Sequence, residues 1–271
     1  MVHGDTDAAS RRTRRREASR GDASPRRRRK TRPRVTVVGV LGELLITAGV
    51  LILLFLFWQL WLNDIIVRNE QNGIAHERSQ EWLLNPPTAP DPVETDDGTE
   101  VYEPIIREPA ADTEIFGVMH IPRFGSDYAA DVAGGVTRPG TLDPIGLGHY
   151  LNTQSAGEPG NFALAGHRTT YGKPLNQIAE LRVGDAIVLQ TEDGWYTYRF
   201  RTLEYVTPQA VDVLNPIPQS DSADVTDRFI TLTACSPMFS AAERIVAYGT
   251  FESFTPTAVG PPASLTENLE D

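Results

Sequence analysis

Apolar positions are spaced very differently in the N-terminal and C-terminal parts of this 271-residue chain. From Leu44 to Asn63, twenty consecutive positions carry no charged side chain. A helix rises about 1.5 Å per residue, so this run spans the roughly 30 Å hydrocarbon layer of a membrane. The pattern predicts one membrane-spanning helix within residues 35–63. A cleaved signal peptide is the competing interpretation, but the long apolar run and the absence of a small-x-small site after it favour a retained anchor.

Between residues 111 and 253 the apolar residues alternate with polar ones, as in half-buried strands. The runs are short, rich in β-branched and aromatic residues, and separated by Gly, Pro and Asp turns, for example NFALAGH, AIVLQ, WYTYRFRTLEYV, RFITLTAC and RIVAYGTF. The strongest helix candidate in this region is Lys173–Leu181. We therefore expect a mainly β fold, a closed β-barrel with one or two short helices, preceded by a single transmembrane helix.

Charge divides the remaining segments. Residues 1–34 hold thirteen Arg or Lys against four acids, and this basic tail lies just before the apolar run. The positive-inside rule places such a tail in the cytoplasm, so the chain from residue 64 onward is predicted to be extracellular. Residues 64–110 are expected to form a stalk and an acidic Pro-rich linker, and residues 254–271 a disordered tail. The basic tail is interpreted as a membrane-side segment, with no nucleic-acid partner.

Cys235 is the only cysteine of the chain, so it has no disulfide partner within it. An unpaired thiol in an exported protein indicates intermolecular pairing or chemistry, whereas burial as a small apolar residue is the ordinary alternative. Alternation along RFITLTAC places Ile230, Leu232 and Ala234 on one face and Cys235 with the threonines on the other. The apolar face is predicted to be the core side, which leaves the thiol on a polar face at the strand end.

A thiol reacts as thiolate and needs a base or cation nearby. His120 lies inside a strand pattern and is discounted. His167 and His149 both occupy loop-like positions, and His167 ends a strand where an imidazole could work. Arg244 opens the strand after Cys235 and would return beside the thiol in a hairpin, where it could stabilise an oxyanion. No carboxylate is recognised that would orient the histidine, and no metal-ligand cluster or phosphate loop is present.

These three residues together resemble the sortase family of cysteine transpeptidases. TLTAC (231–235) is similar to the family's T-L-x-T-C strand, NFALAGHR (161–168) to its histidine segment, and Arg244 to its arginine on the following strand. CSPMFSAAER (235–244) resembles the C-H-P-x-F-S-A-x-x-R pattern of the class E branch. LGHY (147–150) and HRTTYGKPL (167–175) are also similar to that branch, and the resemblance runs from about Ile115 to Phe251.

The resemblance implies a membrane-anchored enzyme in which Cys235, His167 and Arg244 are catalytic. It would cleave a Thr-Gly bond in a Leu-Ala-x-Thr-Gly or Leu-Pro-x-Thr-Gly sorting signal. The implied partners are secreted proteins with C-terminal sorting signals, the amine of a peptidoglycan precursor, and membrane lipid; no cofactor and no metal are implied. Tyr150, Thr233 and Ala234 are the expected substrate-binding residues, and residues 206–226 correspond to the family's substrate-recognition loop.

Two positions depart from the family pattern. Ala234 stands where a threonine usually precedes the cysteine, which removes a hydroxyl, and Ser236 replaces a histidine. Two other functions stay open at this point. An L,D-transpeptidase is disfavoured because Thr233 and Ala234 stand where that group has His and Gly. A non-catalytic, membrane-tethered β-barrel that binds a partner would not require Cys235, His167 and Arg244 to converge.

Overall fold

The computed structural model describes residues 36–58, 62–95, 98–220, 222 and 225–266. The predicted basic tail, Trp61 of the apolar run and the last five residues of the chain lie outside these ranges. Helix α1 (Val37–Phe57) contains 21 residues, none of them buried. It is the single helix of the described residues that is long and apolar enough to cross a membrane, and this suits the predicted anchor.

Eight of the ten described strands form a closed barrel in the order β10-β8-β7-β3-β4-β5-β6-β9. The strands are β3 (Ile115–His120), β4 (Ala130–Gly134), β5 (Leu147–His149), β6 (Gly160–Gly166), β7 (Ala186–Gln190), β8 (Gly194–Val206), β9 (Arg228–Ser236) and β10 (Glu243–Pro256). Neighbours are antiparallel except for β4 with β5 and β6 with β9. The predicted mainly β closed barrel, preceded by one apolar helix, is confirmed.

The barrel encloses one main hydrophobic core. Its fully buried members come from alternate positions of the strands, as the period-two pattern requires, and include Met119, Leu164, Ile187, Leu189, Tyr198, Ile230 and Leu232. Ala234 also belongs to this cluster. The prediction that Ile230, Leu232 and Ala234 point to the core is therefore confirmed, and Cys235 is held on the opposite side of β9.

Helix α2 (Asn63–Leu84) lies against the outer face of the barrel and is not a free stalk. Ala75 is fully buried with Val118 and Ala129, and the Arg78 guanidinium pairs with Asp131 at 3.1 Å. The helix runs through Gly73 without interruption. The expectation of a stalk is corrected here because the small Ala75 side chain allows α2 to cover the apolar outer side of β3.

The predicted Pro-rich linker has structure in its second half. After a two-stranded hairpin, β1 (Val93–Glu94) with β2 (Glu100–Val101), the chain crosses the barrel end where β8 begins. There Tyr196 donates its hydroxyl to the Ile105 carbonyl, and Arg107 forms a two-bond pair with Asp193. These contacts fasten residues 105–107 to the barrel.

The structure differs from the prediction at the end of the barrel and at the predicted helix. Strand β10 continues to Pro256, past the predicted end at residue 253, because Phe254 is buried against Tyr196; a short helix α3 (Ala263–Thr266) follows. The predicted helix at Lys173–Leu181 is reduced to a 3₁₀ turn at Ile178–Glu180. Its buried residues are Leu175, Ile178 and Leu181, and their spacing of three suits a 3₁₀ turn better than an α-helix.

Candidate active site

Cys235 and Arg244 are directly opposite each other in the ladder between β9 and β10. The next pair inward is Ala234 with Ile245, and both of these side chains lie in the core. Because successive side chains alternate across a sheet, Cys235 and Arg244 both face outward. The hairpin predicted from the nine-residue spacing therefore brings the two residues to one place.

His167 directly follows the end of the next strand, β6, which runs parallel to β9 with Ala165 opposite Thr233. One residue further on, Arg168 Nη1 donates to Ser236 Oγ at 3.3 Å, so the alignment continues past the end of β6. Extending this register by two residues puts His167 level with Cys235, and alternation with core-facing Leu164 and inward Gly166 puts it on the outward face with the thiol.

Cys235 is half-buried and is a free cysteine. Beside it, on the inner side of the two strand ends, Arg168 is only 8% exposed. Its Nη1 atom contacts Ser236, whereas its Nε atom has no hydrogen-bond partner within the described part of the chain. A buried guanidinium therefore lies next to Ser236, the residue directly after Cys235.

The His167 ring is held by a carboxylate that the sequence analysis missed. His167 Nε2 lies 2.7 Å from Asp143 Oδ1, with the two side chains 12% and 22% exposed. The ring also stacks on Tyr171 with a centroid separation of 5.1 Å. Asp143 is 24 residues away in sequence and belongs to no motif with His167, so no local pattern could have identified it.

Arg244 directs its guanidinium to its own turn in this structure. Nη1 donates to the carbonyls of Ala241 at 3.1 Å and of Glu243 at 2.9 Å. These contacts fix the guanidinium at the end of the hairpin that carries Cys235. The side chain is at the level of the thiol, with donors remaining on Nη2 and Nε for a bound group.

Two of the three expected substrate-binding residues meet. The Tyr150 hydroxyl oxygen lies 3.1 Å from Thr233 Oγ1, and the Thr233 hydroxyl is also within 3.2 Å of the Leu164 carbonyl. Ala234 differs, since its methyl group packs in the core at 3% exposure. A threonine in its place would point its side chain into the core. The hydroxyl that Ala234 lacks would therefore not have faced outward beside Cys235.

The described part of residues 207–226 covers the outer face of the barrel at β10. Val213 and Leu214 pack on Val246 of β10. The buried Asn161 amide donates to the carbonyls of Val213 and Asn215, each at 3.0 Å. This segment corresponds to the loop expected to recognise substrate, and it is fastened to β6 and β10.

The other two histidines of the barrel, His120 and His149, are bonded to neighbouring residues of the fold. His120 is bonded to Gln190 at 3.2 Å, and burial, only partly offset by that bond, lowers its pKa to about 4. Burial likewise lowers the pKa of His149, whose Nε2 lies 3.0 Å from the Gln154 carbonyl. Among the described residues no group of three or more His, Cys, Asp or Glu side chains is arranged to hold a metal ion.

Comparison with known proteins adds to this geometry. Residues 119–252 match the family described as Sortase domain. Sortase SrtE1 of Streptomyces coelicolor is 32% identical over 248 residues, which cover 89% of this chain and 65% of that protein. This chain thus spans slightly less than two thirds of the length of SrtE1. Sortase SrtE2 of the same organism is 32% identical over 232 residues, covering 82% of this chain and 85% of that protein.

A solved structure is also similar. The crystal structure of Sortase E1 from Streptomyces coelicolor, with a tripeptide in the active site, superposes with a TM-score of 0.53 at 33% sequence identity. The superposition covers 58% of this chain and 99% of that one.

Proposed function

This chain belongs to the sortase family, and we propose that it is a membrane-anchored cysteine transpeptidase of the class E type. One observation carries the proposal: Cys235 is paired with Arg244 between β9 and β10, and His167 directly follows the end of β6, the strand that runs parallel beside β9. Three residues that are distant in sequence are thereby brought to neighbouring strand ends. Membership of this family argues against an L,D-transpeptidase, and the convergence of the three residues argues against a simple binding module.

Cys235 is the proposed nucleophile. Its thiolate attacks the carbonyl carbon of the scissile Thr-Gly bond and forms a carbon–sulfur bond. The carbonyl electrons move to oxygen, which becomes a tetrahedral oxyanion. When the oxyanion collapses, the carbon–nitrogen bond breaks and a thioester on Cys235 remains.

His167 is the proposed proton carrier. Its imidazolium gives a proton to the glycine nitrogen as that amine leaves, which turns a poor leaving group into a neutral one. The neutral ring then accepts a proton from the incoming amine as it attacks the thioester. The carbon–sulfur bond breaks, a new amide forms, and the thiolate and imidazolium are regenerated, so the cycle needs no further reactant.

Arg244 is the proposed oxyanion and substrate ligand. Its position across from Cys235 is close to where charge develops, and a guanidinium donor is strengthened by that charge. Since Nη1 is bonded to the Ala241 and Glu243 carbonyls, Nε and Nη2 are the proposed donors to the oxyanion.

The proposed substrates are secreted proteins with C-terminal sorting signals, and the proposed acceptor is an amine of a peptidoglycan precursor. Between the two signals considered, Leu-Ala-x-Thr-Gly is favoured. An alanine in the second position has a backbone N–H that proline lacks. The Tyr150 hydroxyl, next to Thr233 on the outward face of the barrel, is an oxygen that could accept from it.

The proposed orientation places the basic tail in the cytoplasm and the barrel outside. The thirteen basic residues before the apolar run support this orientation. Protease added to intact cells should cleave the barrel and leave the tail protected. Protection of the barrel would reverse the assignment.

The test is mass spectrometry of the full chain in detergent micelles, mixed with a Leu-Ala-x-Thr-Gly peptide and a primary amine. The wild type should form an acyl adduct on Cys235 and release an amine-coupled product. Cys235→Ala should give neither, His167→Gln should give little product, and Arg244→Ala should be strongly slowed. Turnover by Cys235→Ala equal to the wild type would refute the transpeptidase proposal.

A further inference from the structure

We propose that Asp143 is a positioning residue of this site: it holds the His167 imidazole through Nε2, so that Nδ1 is the nitrogen that exchanges protons with the amines. The inference rests on the proposed function, because it concerns the same proton carrier. It adds a residue that belongs to none of the motifs through which the family was recognised.

The contact defines which nitrogen of the ring carries a proton. Asp143 Oδ1 lies 2.7 Å from His167 Nε2, and an ionised carboxylate is only an acceptor. Nε2 must therefore donate, in the neutral ring as well as in the imidazolium. The remaining nitrogen, Nδ1, has a free lone pair in the neutral ring and a proton in the charged ring, which are the two forms that the reaction alternates between.

The backbone fixes the position of the acceptor. Asp143 follows a π-helical turn (Arg138–Leu142), and its own N–H donates to the Arg138 carbonyl at 2.8 Å. Strand β5 begins four residues later and pairs with β6 through Leu147 and Gly166. That pairing carries the Asp143 loop to the end of β6, where His167 stands.

Helix α2 and the loop after His167 complete the support. The Gln71 side chain of α2 donates to the Pro144 carbonyl at 3.3 Å, directly after Asp143. Tyr171 stacks on the imidazole with a 31° angle between the rings, and the Arg138 guanidinium lies 5.7 Å from the centre of the Tyr171 ring. Asp143 thus holds one edge of the imidazole while Tyr171 covers a face, and rotation of the ring is restricted from two sides.

The consequence for catalysis concerns rate more than binding. Without Asp143 the imidazole could rotate or take the other tautomer, and Nδ1 would no longer be aimed reliably at the departing nitrogen. We expect Asp143→Ala to lower kcat about ten- to a hundredfold, a part of the roughly hundred- to ten-thousandfold contribution of general acid–base catalysis, with KM changed less than about twofold. Asp143→Asn keeps an oxygen acceptor but loses the charge, so its kcat should lie between those of the wild type and Asp143→Ala.

The experiment uses the full chain in detergent micelles with the peptide and amine described above. A matched control is Glu252→Gln, the same carboxylate-to-amide change at the Arg199–Glu252 surface pair, which should leave kcat unchanged. Nitrogen-15 spectra of the histidine rings give an independent readout, with His167→Gln identifying the His167 signal. The wild type should show protonated Nε2, and Asp143→Ala a mixture of tautomers.

The outcomes separate this inference from the proposed function. If Cys235→Ala is inactive while Asp143→Ala and Asp143→Asn turn over within twofold of the wild type, the positioning role is refuted and the transpeptidase stands. Unchanged ring spectra in both Asp143 variants would refute it as well. If Asp143→Ala fails to fold, the kcat and ring spectrum of Asp143→Asn decide by the same criteria. Wild-type turnover by Cys235→Ala would instead refute the proposed function itself.

Discussion

The hydroxyl oxygens of Tyr150 and Thr233 lie 3.1 Å apart, joining the loop after β5 to the strand that carries Cys235. The two residues lie on opposite sides of β6, on the outward face of the barrel. Thr233 is two positions before Cys235 on β9, so the two side chains are neighbours on the same face of the strand. The Tyr150 hydroxyl therefore lies one side chain away from the thiol along this face.

Tyr150→Phe is expected to reduce the preference for alanine over proline in the sorting signal. The variant keeps the ring but loses the oxygen that would accept from the alanine N–H, so kcat/KM for the Leu-Ala-x-Thr-Gly peptide should fall about five- to tenfold. The value for a Leu-Pro-x-Thr-Gly peptide should change little. The measurement is kcat/KM for both peptides by product chromatography.

Thr233→Val is the matched control for that prediction, since it removes the other hydroxyl of the pair while keeping the shape. If Tyr150 acts on substrate directly, Tyr150→Phe should affect the peptide preference more than Thr233→Val. An equal loss for both peptides in Tyr150→Phe would contradict the role in discrimination.

Asn161→Ala is expected to loosen the loop of residues 207–226. The Asn161 side chain is fully buried, donates to the Val213 and Asn215 carbonyls and accepts from the Thr231 hydroxyl at 2.7 Å. Truncation removes three hydrogen bonds and leaves the buried Thr231 hydroxyl without this acceptor, which should lower the free energy of unfolding by about 2–4 kcal/mol. It should also raise KM, because the loop is no longer held in place.

Urea unfolding monitored by tryptophan fluorescence, together with KM for the peptide, checks this prediction. Gln209→Ala alters an exposed residue of the same loop and should change neither quantity. A stability loss with an unchanged KM would show that the loop does not contribute to substrate binding.

Acid should destabilise the barrel through His120. Burial lowers the pKa of this imidazole in the folded protein to about 4, compared with its ordinary value of 6.5. Between these values the unfolded chain binds a proton that the folded chain does not, so the free energy of unfolding decreases as pH falls from about 6.5 to 4. The full difference corresponds to about 3 kcal/mol.

His120→Gln should remove that part of the pH dependence, since glutamine can still donate to Gln190 and carries no titrating group. The check is the urea midpoint at several pH values from 4 to 7.5 for both proteins. Parallel curves for the wild type and His120→Gln would show that His120 is not the group responsible.

Much of the architecture could be predicted from the chain because the relevant signals are local. A run without charge predicts a helix that fits a membrane, and period-two runs with turn residues predict strands that share one core. The helix prediction at 173–181 failed because apolar residues spaced by three fit a weak helical pattern, while the same residues are drawn into the barrel core as a 3₁₀ turn. Helix α2 was not recognised as part of the barrel unit, since its contact depends on one small buried residue, Ala75.

The residues of the site also differ in whether local sequence identifies them. The pairing of Cys235 with Arg244 depends on one hairpin, whose spacing can be read from the sequence. His167 could be named from its position at a strand end and from the resemblance to the family. Asp143 depends on two further conditions: the β5–β6 pairing and the turn that precedes β5. Neither condition produces a recognisable residue spacing in the sequence. A contact between residues 24 positions apart depends on the path of the backbone and does not fix the identities of the intervening residues.

By itself, the sequence determined the membrane-type helix, the mainly β class, the inward side of β9 and the residues able to do thiol chemistry. These follow from hydrophobic periodicity and from the chemistry of single side chains, which act over a few residues. Only the tertiary structure decided that β6 runs parallel to β9, that His167 is therefore level with Cys235, and that Asp143 holds the imidazole. Those relationships come from closing the barrel, where strands far apart in the chain must pair so that every backbone hydrogen bond is satisfied.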